Sequence, residues 1–482
     1  MGWRAYHELT SHTAEALRRS QHFLDWANMA DPFRDYDGVP VLDLPADPPT
    51  PDIPMLALLN GARGAVQPVD GATFLSQLFF YSAAVSASKR VPATGYRYAL
   101  RVNPSSGNLH PTEFHFLTRG LAVWPDGFYH YRPSSHMAEQ RALGEIGLEE
   151  AADASVAFVL TSIAWREAWK YRDRAYRYCL LDIGHAWEAL ALAARAFGYD
   201  SFAVGRFPDD EVAARCRLPE DEWPMMVIRL SGKSMPADGA PQWFGGEPNR
   251  LSENQIVYPS IEEIHAATSV IERGAGAEVE PAGSGDVLPG VPASSARSFG
   301  ETARARRSAL DFRGGLESIS LAQLSALLAA AAQPLSCDFG GGFIQLYLYV
   351  HRVDGLERGV YRSWPAPGRL ERVRSGDQRV AAAGLSLGQD LAGNACVAFS
   401  MVADMERAAG AHGSRGYRYV HFEAGAVGQR LYLAAEALGL GATGIGAFFD
   451  AEVHGYLGLS AAQRVVYHFA IGYPVPDPRL AA

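Results

Sequence analysis

Two long stretches of the chain carry the same order of apolar and polar patterns, which predicts two similar domains. In each stretch, short alternating runs typical of strands precede a long helical pattern; they are FHFL and YHY in the first, LYLYV and VYR in the second. Each helical pattern ends at a glycine, Gly198 or Gly439, as helices ending in left-handed backbone do. The apolar runs MMVIRL and VVYHFAIG then predict strands covered on both faces. The patterns indicate an α+β domain made twice.

The two stretches also share residue identities. Shifting the sequence by 241 residues aligns residues 176–212 with 417–453 without a gap, and fifteen of the 37 positions are identical. Chance would give roughly two to four identities at average composition. Further upstream the offset becomes 232, where GFYHYRP aligns with GVYRSWP. The repeated unit is therefore about a whole domain, and the chain is an internal duplication.

Proline- and glycine-rich segments mark the expected boundaries. We divide the chain into an N-terminal arm at 1–55, a first domain at 56–234, a linker at 235–300 and a second domain at 301–482. The arm starts with a helical pattern over Leu9–Trp26 and continues into DLPADPPTPDIP, which we expect to wrap on the surface. The linker has little apolar periodicity apart from one short helix predicted over Ser260–Arg273.

Composition limits the classes of partner. The 482 residues include 43 Lys and Arg against 53 Asp and Glu, a net charge of −10 that disfavours a nucleic-acid binder. The four cysteines lie far apart with no CxxC pair, so we expect neither a disulfide scaffold nor a metal site. The start of the chain resembles no export signal, and no run of about 18 clean apolar residues predicts a membrane span. We expect a soluble, cytoplasmic protein.

A glycine-rich motif follows the second long helix. Gly439, Gly441, Gly444 and Gly446 match the dinucleotide fingerprint GxGxxG, but that fingerprint needs a strand before the glycines and a helix after them. Here a helix precedes them and a short apolar segment follows, so we reject a Rossmann site. A helix cap explains Gly439 and Gly441, whereas Gly444 and Gly446 would also let a flat ligand approach the backbone.

Two further segments carry groups that bind polar ligands. Arg306, Arg307 and Ser308 place two guanidiniums beside a hydroxyl, a set that suits a phosphate monoester, although a basic pair is more often a solvated surface. The segment NPSSGNLHP at 103–111 packs small hydrogen-bonding groups ahead of a strand, as the polar edge of a heteroaromatic ring requires. An ordinary turn with an Asx bond is the alternative for this second segment.

Together these three motifs resemble those of the nitroreductase-like FMN flavoproteins. In that family an RRSxRxF-like segment holds the FMN phosphate, a PSxxNxxP-like segment meets the flavin ring, and a later glycine turn lies against it. The chain most closely resembles the tandem-domain SagB-type or ThcOx-type dehydrogenases, which include azoline oxidases of peptide natural-product assembly. The resemblance spans Trp3 to Pro474 and includes YHELTSH and AIGYP near the two ends.

The resemblance implies two tandem nitroreductase-like domains that form an intramolecular pseudo-dimer, with FMN at their interface. It assigns to the phosphate Arg306, Arg307 and Ser308, with Arg479 as a less certain helper. It assigns to the flavin ring Gly444, Ile445 and Gly446 from one domain and Pro104, Ser105, Ser106 and Asn108 from the other, with Arg101 supporting the loop. Leu310 departs from the family, which often has a second basic residue there, so phosphate affinity is expected to be lower.

The duplication predicts one FMN per chain. Asn60-Gly61-Ala62 aligns with the phosphate motif, and Ser336-Cys337-Asp338-Phe339-Gly340 aligns with the ring-binding segment Pro104 to Asn108. Neither counterpart keeps the chemistry of its partner. The two surviving halves lie in different domains and therefore combine into one site, while the two lost halves would have formed the other.

Lys170 and Tyr171 are the candidate catalytic residues. Azoline dehydrogenases of the resembled group carry a Lys-Tyr pair at this location, which implies proton removal from a substrate carbon while flavin N5 accepts hydride. Arg166, Arg172 and Arg174 would disfavour the protonated lysine if they converge on it in space. A basic, aromatic pocket entrance is the plainer interpretation. His110 is a candidate substrate or flavin contact, and a structural histidine is equally plausible.

These inferences lead to three functional hypotheses. The first is an FMN-dependent oxidoreductase that oxidises an azoline or another peptide-derived or small natural-product substrate, with oxygen reoxidising the flavin and biosynthetic enzymes as partners. The second is an NAD(P)H-dependent reductase of nitro compounds, quinones or enones. The third is a non-catalytic flavin-binding partner of a biosynthetic complex. The response of the flavin to NAD(P)H separates the first two.

Overall fold

The computed structural model of the protein describes residues 1–19, 23–232, 239–272, 274, 285–287, 293–364 and 368–480. Helices occur in both halves of the chain. Their bounds are α1 Trp3–Leu9, α2 Ala14–Arg19, α3 Met55–Leu59, α4 Gly71–Phe80, α5 Ala164–Tyr171, α6 Ala175–Ala196, α7 Asp209–Cys216, α8 Pro259–Ser269, α9 Phe299–Ala305, α10 Leu321–Ala331, α11 Arg379–Leu385, α12 Asp390–Asn394, α13 Met405–His412, α14 Gly416–Ala437 and α15 Asp450–Leu457. Within these ranges, every helix is too short or too polar to cross a lipid bilayer.

The strands also fall into two groups. Those of the first half are β1 Tyr36–Asp37, β2 Val41–Asp43, β3 Val85–Arg90, β4 Arg97–Arg101, β5 Thr112–Thr118, β6 Gly127–Arg132, β7 Met137–Leu143, β8 Val156–Ser162, β9 Ser201–Val204, β10 Trp223–Leu230, β11 Gln242–Trp243 and β12 Glu247–Pro248. Those of the second half are β13 Asp286–Val287, β14 Ile319–Ser320, β15 Ile344–Val350, β16 Val353–Asp354, β17 Gly359–Trp364, β18 Arg369–Ser375, β19 Val397–Asp404, β20 Gly441–Ile445 and β21 Gln463–Gly472.

The two main sheets have the same topology. The first has the order β11-β7-β6-β5-β8-β10-β9 and the second β13-β18-β17-β15-β19-β21-β20, so strand follows equivalent strand across both. Neighbouring strands in each sheet run antiparallel, and the central strands β5, β8, β15 and β19 are buried along nearly their whole length. The identical order confirms the prediction of an α+β domain made twice.

The long helices α6 and α14 pack against each other and join the domains. They approach most closely at Gly184 and Gly425: a Cβ on Gly184 would lie 2.2 Å from the Phe422 carbonyl oxygen, and one on Gly425 2.2 Å from the Leu181 oxygen. Side chains at this crossing would push the helices apart, which explains the two aligned glycines. One continuous hydrophobic core runs through both domains around this pair, so the chain forms an internal pseudo-dimer.

Two equivalent ion-pair clusters clamp the domains together. Asp209 of the first domain pairs with Arg415 and Arg418 of the second, at 2.9 and 2.6 Å. Its counterpart Asp450 pairs with Arg174 and Arg177 of the first domain, at 2.9 and 2.7 Å. Burial raises the pKa of each carboxyl, but the two arginines outweigh it and hold the pKa below its ordinary value. Both carboxylates are therefore charged and neutralised across the domain boundary.

The arm and the linker are more structured than their patterns predict. The prediction of one helix over Leu9–Trp26 is correct for α2, Ala14–Arg19, and wrong for residues 10–13, which separate α2 from the end of α1 at Leu9. The linker helix exists as α8, while Arg273 and much of the linker lie outside the described residues. The four predicted segment boundaries remain predictions.

Candidate active site

A cavity of about 330 Å³ lies between the two domains, and it gathers the predicted cofactor ligands. We call it the open pocket. It is lined by Arg101, Pro104, Ser105, Ser106 and Asn108 from the first domain and by Arg306, Arg307, Ser308, Gly444, Ile445 and Gly446 from the second. The predicted ligand Arg479 does not line this cavity but lines an adjoining one. The two motifs, about 200 residues apart in sequence, thus meet in one place.

One end of the open pocket is cationic. Arg306 lies directly after α9 and donates through Nε to the Val102 carbonyl at 2.8 Å, which ties the second domain to the first. Arg307 donates to three backbone carbonyls, including that of Ser86 at 3.1 Å. Burial and then the neighbouring charge of Arg306 lower the pKa of Arg307 to about 10. Lys89, from strand β3, adds a third cation.

The buried cations have donors left over for an anion. Nη1 of Arg306 has no hydrogen-bond partner among the described residues, nor do Nε and Nη1 of Arg101. Burial lowers the pKa of Arg101 to about 10, which measures the cost of keeping this charge away from water. The Ser308 hydroxyl lies 2.9 Å from the Tyr432 hydroxyl at the same end. This donor set fits the phosphate of a mononucleotide cofactor.

The ring-binding loop is held in an unusual backbone conformation. Gly107, Asn108 and His110 all have positive φ, at 60°, 60° and 51°. Such backbone in non-glycine residues persists only where the surroundings enforce it. The enforcing bonds are those of Ser105 Oγ, which accepts from the His110 N–H at 2.7 Å, and of Asn108 Nδ2, which donates to Ala99 O at 2.9 Å.

Asp182 also accepts hydrogen bonds from the ring-binding loop. This buried carboxylate on α6 accepts hydrogen bonds from the Ser106 N–H at 3.1 Å and from the Ser106 hydroxyl at 3.0 Å. Burial raises its pKa to about 7, although bonds from Ser105 and Ser106 pull the value down. Asp182 also lines the open pocket, so a carboxyl group with a pKa near neutral borders that cavity.

Tyrosine side chains explain why Gly444 and Gly446, which line one wall of the open pocket, are glycines. A Cβ on Gly444 would lie 1.9 Å from the Tyr467 hydroxyl, and one on Gly446 would lie 2.2 Å from Cε1 of Tyr178. Close packing of these rings thus requires glycine, whether or not a ligand approaches. Gly439 has φ of 74° after α14, as a helix-ending glycine does, and Gly441 begins strand β20, which agrees with rejecting a dinucleotide site.

Lys170 and Tyr171 lie at the end of α5, directly beside the ring-binding loop. A Cβ on Gly107 would be 2.7 Å from the Tyr171 hydroxyl and 3.1 Å from Lys170 Nζ. Tyr171 lines the open pocket and Lys170 lines the adjoining cavity. The predicted arginines do not act as a free cluster, because Arg166 pairs with Glu113 and Arg174 with Asp450.

A second cavity of about 790 Å³ adjoins the open pocket, and we call it the aromatic groove. The two share Tyr98, Gly107 and Asn108 as lining residues. His110 lines the groove with its Nε2 3.2 Å from Asn108 Oδ1, and burial lowers its pKa well below the ordinary value. Arg479 also lines the groove and pairs with Asp477 at 2.8 Å, the carboxylate that Lys89 contacts too.

At the counterpart of the open pocket in the pseudo-dimer, which we call the closed pocket, the Phe339 ring lies against Gly205, the position aligned with Gly446. Phe339, which aligns with Gly107, stacks on Tyr419 with ring centroids 4.3 Å apart and 7° between planes. The Asp338 carboxylate accepts from the N–H groups of Gly205 and Arg206 at 2.8 and 3.1 Å. These positions align with Gly446 and Ala447 of the open pocket. A side chain thus occupies the space where a ligand would lie.

Several lining residues escaped the sequence motifs. They are Lys89, Tyr98, Tyr178, Asp182, His185, Gln389, Tyr432 and Tyr467. Asp182 could have been found, because it aligns with another acid, Glu423, in the self-alignment. Glu423 likewise accepts from backbone N–H groups, those of Gly342, Phe343 and Ile344. Lys89 carries no such signal, since its segment has no counterpart in the second domain.

Comparison with known proteins identifies the class to which this fold and site belong. The model of the nitroreductase family matches residues 82–233 and 303–473, one match for each domain. The chain therefore belongs to the nitroreductase family, a class of flavin-dependent oxidoreductases. The crystal structure of a nitroreductase-like protein from Anabaena variabilis has a TM-score of 0.78 and 26% identity, and the alignment covers 98% of this chain and 99% of that one.

Two curated relatives match shorter segments. A nitroreductase-like protein of Methanocaldococcus jannaschii is 36% identical over 110 residues, which is 23% of this chain and 56% of the relative. The trifolitoxin-processing protein TfxB of Rhizobium leguminosarum bv. trifolii is 29% identical over 152 residues, covering 29% of this chain and 40% of the relative. The chain thus spans about half the length of the curated relatives it matches.

Proposed function

We propose that the protein is an FMN-dependent oxidoreductase of the SagB type that oxidises an azoline or another peptide-derived or small natural-product substrate. The observation that carries the proposal is the open pocket, where one domain supplies buried cations and the other a rigid polar loop beside Lys170 and Tyr171. The similarity to the trifolitoxin-processing protein supports a peptide-derived substrate and biosynthetic enzymes as partners.

Arg306, Arg307 and Ser308 would hold the FMN phosphate, and the surplus donors of Arg306 and Arg101 would bond its oxygens. The ring would lie between the loop Pro104–Asn108 and the wall Gly444–Gly446. Arg479 would act on the groove side rather than on the phosphate, because it pairs with Asp477 there. When bound, FMN would supply a hydride acceptor at N5.

Lys170 and Tyr171 at the end of α5 are the proposed residues for proton transfer from the substrate. In the proposed dehydrogenation the substrate loses a hydride and a proton, and one single bond between its ring atoms becomes a double bond. Lys170, as the neutral amine, would take the proton, since it borders the loop that meets the flavin ring. Burial raises the pKa of the Tyr171 hydroxyl well above its ordinary value, so Tyr171 would stay protonated and act as a hydrogen-bond donor at the same loop. Molecular oxygen would then take the two electrons, as we expect for an oxidase.

The cofactor assignment is tested by the FMN content of the purified chain. We expect one FMN per chain, identified by the mass of the released cofactor. In Arg306→Gln, loss of the charged donor should weaken FMN binding about a hundredfold. Asn60→Gln changes the aligned position of the closed pocket and should leave FMN binding unchanged. Two FMN per chain, or none after added FMN, would contradict the proposal.

The direction of the reaction is tested by NADPH. A dehydrogenase of the proposed kind should keep its oxidised flavin spectrum with excess NADPH under anaerobic conditions. Rapid bleaching would instead favour the NAD(P)H-dependent reductase of nitro compounds, quinones or enones, and would overturn the proposed direction while leaving the cofactor assignment in place.

A further inference from the structure

The aromatic groove is lined by rings from three separate parts of the chain: the arm, α5 and the hairpin β3–β4. Trp26 of the arm packs edge-on against Trp169 of α5, with centroids 5.2 Å apart, yet 68% of its surface stays exposed. Phe33 lies further along the arm, with the Arg101 guanidinium 5.0 Å from its ring. Tyr96 and Tyr98 from the hairpin lie 6.4 Å apart and nearly parallel. Ring faces exposed in a concave site are suited to apolar and aromatic ligand groups.

The hairpin that forms part of this groove exists in the first domain only. Between α4 and the ring-binding loop the first domain has residues 81–103, whereas the second has only 332–335 between α10 and the aligned segment. The added residues form β3 and β4. The second domain folds without this hairpin, so the hairpin is not needed for folding a domain of this kind. Because it lies at the open pocket, its position points to ligand binding.

The hairpin is fixed in place rather than loosely attached. The Arg90 N–H donates to Arg479 O at 2.9 Å, and Lys89 pairs with Asp477 at 2.8 Å, so the C-terminal segment holds one edge. Arg304 and Arg307 donate to the Val85 and Ser86 carbonyls, both at 3.1 Å. These bonds from the second domain make the hairpin a fixed wall of the groove.

The groove is cationic although the chain is acidic. Its lining contains Arg97, Lys170 and Arg479 against a single carboxylate, Asp31, while the chain as a whole carries a net charge of −10. Asp31 accepts a hydrogen bond from the Phe33 N–H at 2.9 Å, and Arg479 is paired with Asp477. Arg97, on the exposed side of β4, is the cation best placed to meet an arriving anion.

We infer that the aromatic groove is the substrate-binding site and that it selects a flat or apolar group carrying an anionic group, such as a carboxylate, next to the reacting ring. The inference rests on the proposed function, because it places that substrate beside Lys170 at the ring-binding loop. The rings would contact the apolar part, and Arg97 would contact the anionic group.

The test uses two probes that differ in charge alone, 2-phenylthiazole-4-carboxylate and its carboxamide. Binding to the full-length holoprotein is measured by the change in flavin absorption and by tryptophan fluorescence. We expect the carboxylate to bind about fivefold more tightly than the carboxamide, the difference expected of one partly exposed ion pair. Equal binding of the two probes, or tighter binding of the carboxamide, would overturn the inference.

Two pairs of matched variants test which side chains cause the preference for the carboxylate and the binding of the ring. Arg97→Gln should abolish the preference for the carboxylate, while Arg90→Gln, its cross-strand neighbour outside the groove, should keep it. Trp26→Ala should weaken both probes roughly fivefold, whereas Phe23→Ala, an exposed aromatic of the same segment outside the groove, should not. If both members of either pair behave alike, the groove assignment is wrong.

Failure of the proposed function would be visible separately. If the protein holds no FMN, the proposed function fails, yet tryptophan fluorescence still reports whether the groove prefers the carboxylate. If FMN is bound but the probes show no charge preference, the groove inference fails and the cofactor assignment stands.

Discussion

The open and closed pockets come from one ancestral fold and differ in several side chains and in the hairpin β3–β4, which lies beside the open pocket. At the position of Gly107 in the open pocket, the closed pocket has Phe339, whose ring fills the space. Where the open pocket has Arg306, Arg307 and Ser308, the closed pocket has a segment without charge. In the closed pocket the Asp338 carboxylate accepts hydrogen bonds from the N–H groups of Gly205 and Arg206. The aligned residues Gly446 and Ala447 line the open pocket. Protein groups thus lie in the closed pocket at positions that border an open cavity in the other copy, while the main sheet keeps the same strand order.

What both pockets retain shows which features belong to the scaffold. Each keeps a buried acid on its long helix, Asp182 or Glu423, that accepts hydrogen bonds from the loop leading into a central strand. Each keeps the aspartate clamp to the opposite domain and the glycine of the helix crossing. Features that differ, namely the cations, the ring-binding loop and the hairpin, are therefore the ones that carry function.

The largest expected effect concerns Lys170, which has Ala411 as its counterpart beside the closed pocket. Lys170→Met together with Tyr171→Phe should lower turnover by about 10² to 10⁴, because a positioned proton acceptor is lost. The FMN content should stay at one per chain. Arg172→Gln, an exposed neighbour, serves as the control and should retain turnover. Full turnover in the double variant would eliminate the assignment of the base.

Next in size are the two aspartate clamps. Asp450→Asn and Asp209→Asn each leave two buried arginines unpaired and should lower the free energy of unfolding by about 3–5 kcal/mol in denaturant titrations. Only Asp450→Asn should also weaken FMN binding, because its partner Arg174 donates to the Gly446 carbonyl at the open pocket. Equal FMN affinity in both variants would show that the two clamps are purely structural.

The clamps also make an acid-sensitive contribution. Since the pKa of each aspartate is lower in the folded chain than in the unfolded chain, the stabilisation is present above about pH 4. It is lost as the pH falls through the folded-state value. The difference between wild type and either asparagine variant should therefore shrink in acid, and a constant difference would contradict the ion-pair account.

A smaller effect is expected from emptying the closed pocket. Phe339→Gly should cost about 3 kcal/mol of stability because it removes a buried ring. FMN content should remain at one per chain, since Asn60, Gly61 and Ala62 offer no cation for a second phosphate. Phe339→Leu, which keeps most of the volume, should lose less stability. A second bound FMN would show that the phosphate ligands are dispensable.

The smallest effect is the pH dependence due to Asp182. Burial raises the pKa of Asp182 to about 7 in the folded chain, above its value in the unfolded chain. The stabilisation linked to the protonated carboxyl is therefore fully present below about pH 4. That contribution is lost as the pH rises through about 7. Wild type should therefore lose a few degrees of Tm relative to Asp182→Asn between pH 4 and pH 8. Parallel Tm profiles for Asp182→Asn and wild type would refute the shift.

The sequence determined the duplication and the α+β class, and it predicted one composite site. That prediction came from aligning Arg306–Ser308 with Asn60–Ala62 and Pro104–Asn108 with Ser336–Gly340, which shows that each motif is present in one copy and replaced in the other. Local signals also located the helix-ending glycines, because those depend on backbone conformation within a few residues.

Only the tertiary structure decided how the distant groups meet. It brought Lys89 to the cationic end, turned Arg479 toward Asp477, and put Phe339 into the space of the lost site. It also built the aromatic groove from the arm, α5 and a hairpin that share no motif. These outcomes depend on which side chains become neighbours across domains, and that choice is made by packing over the whole chain rather than by any local pattern.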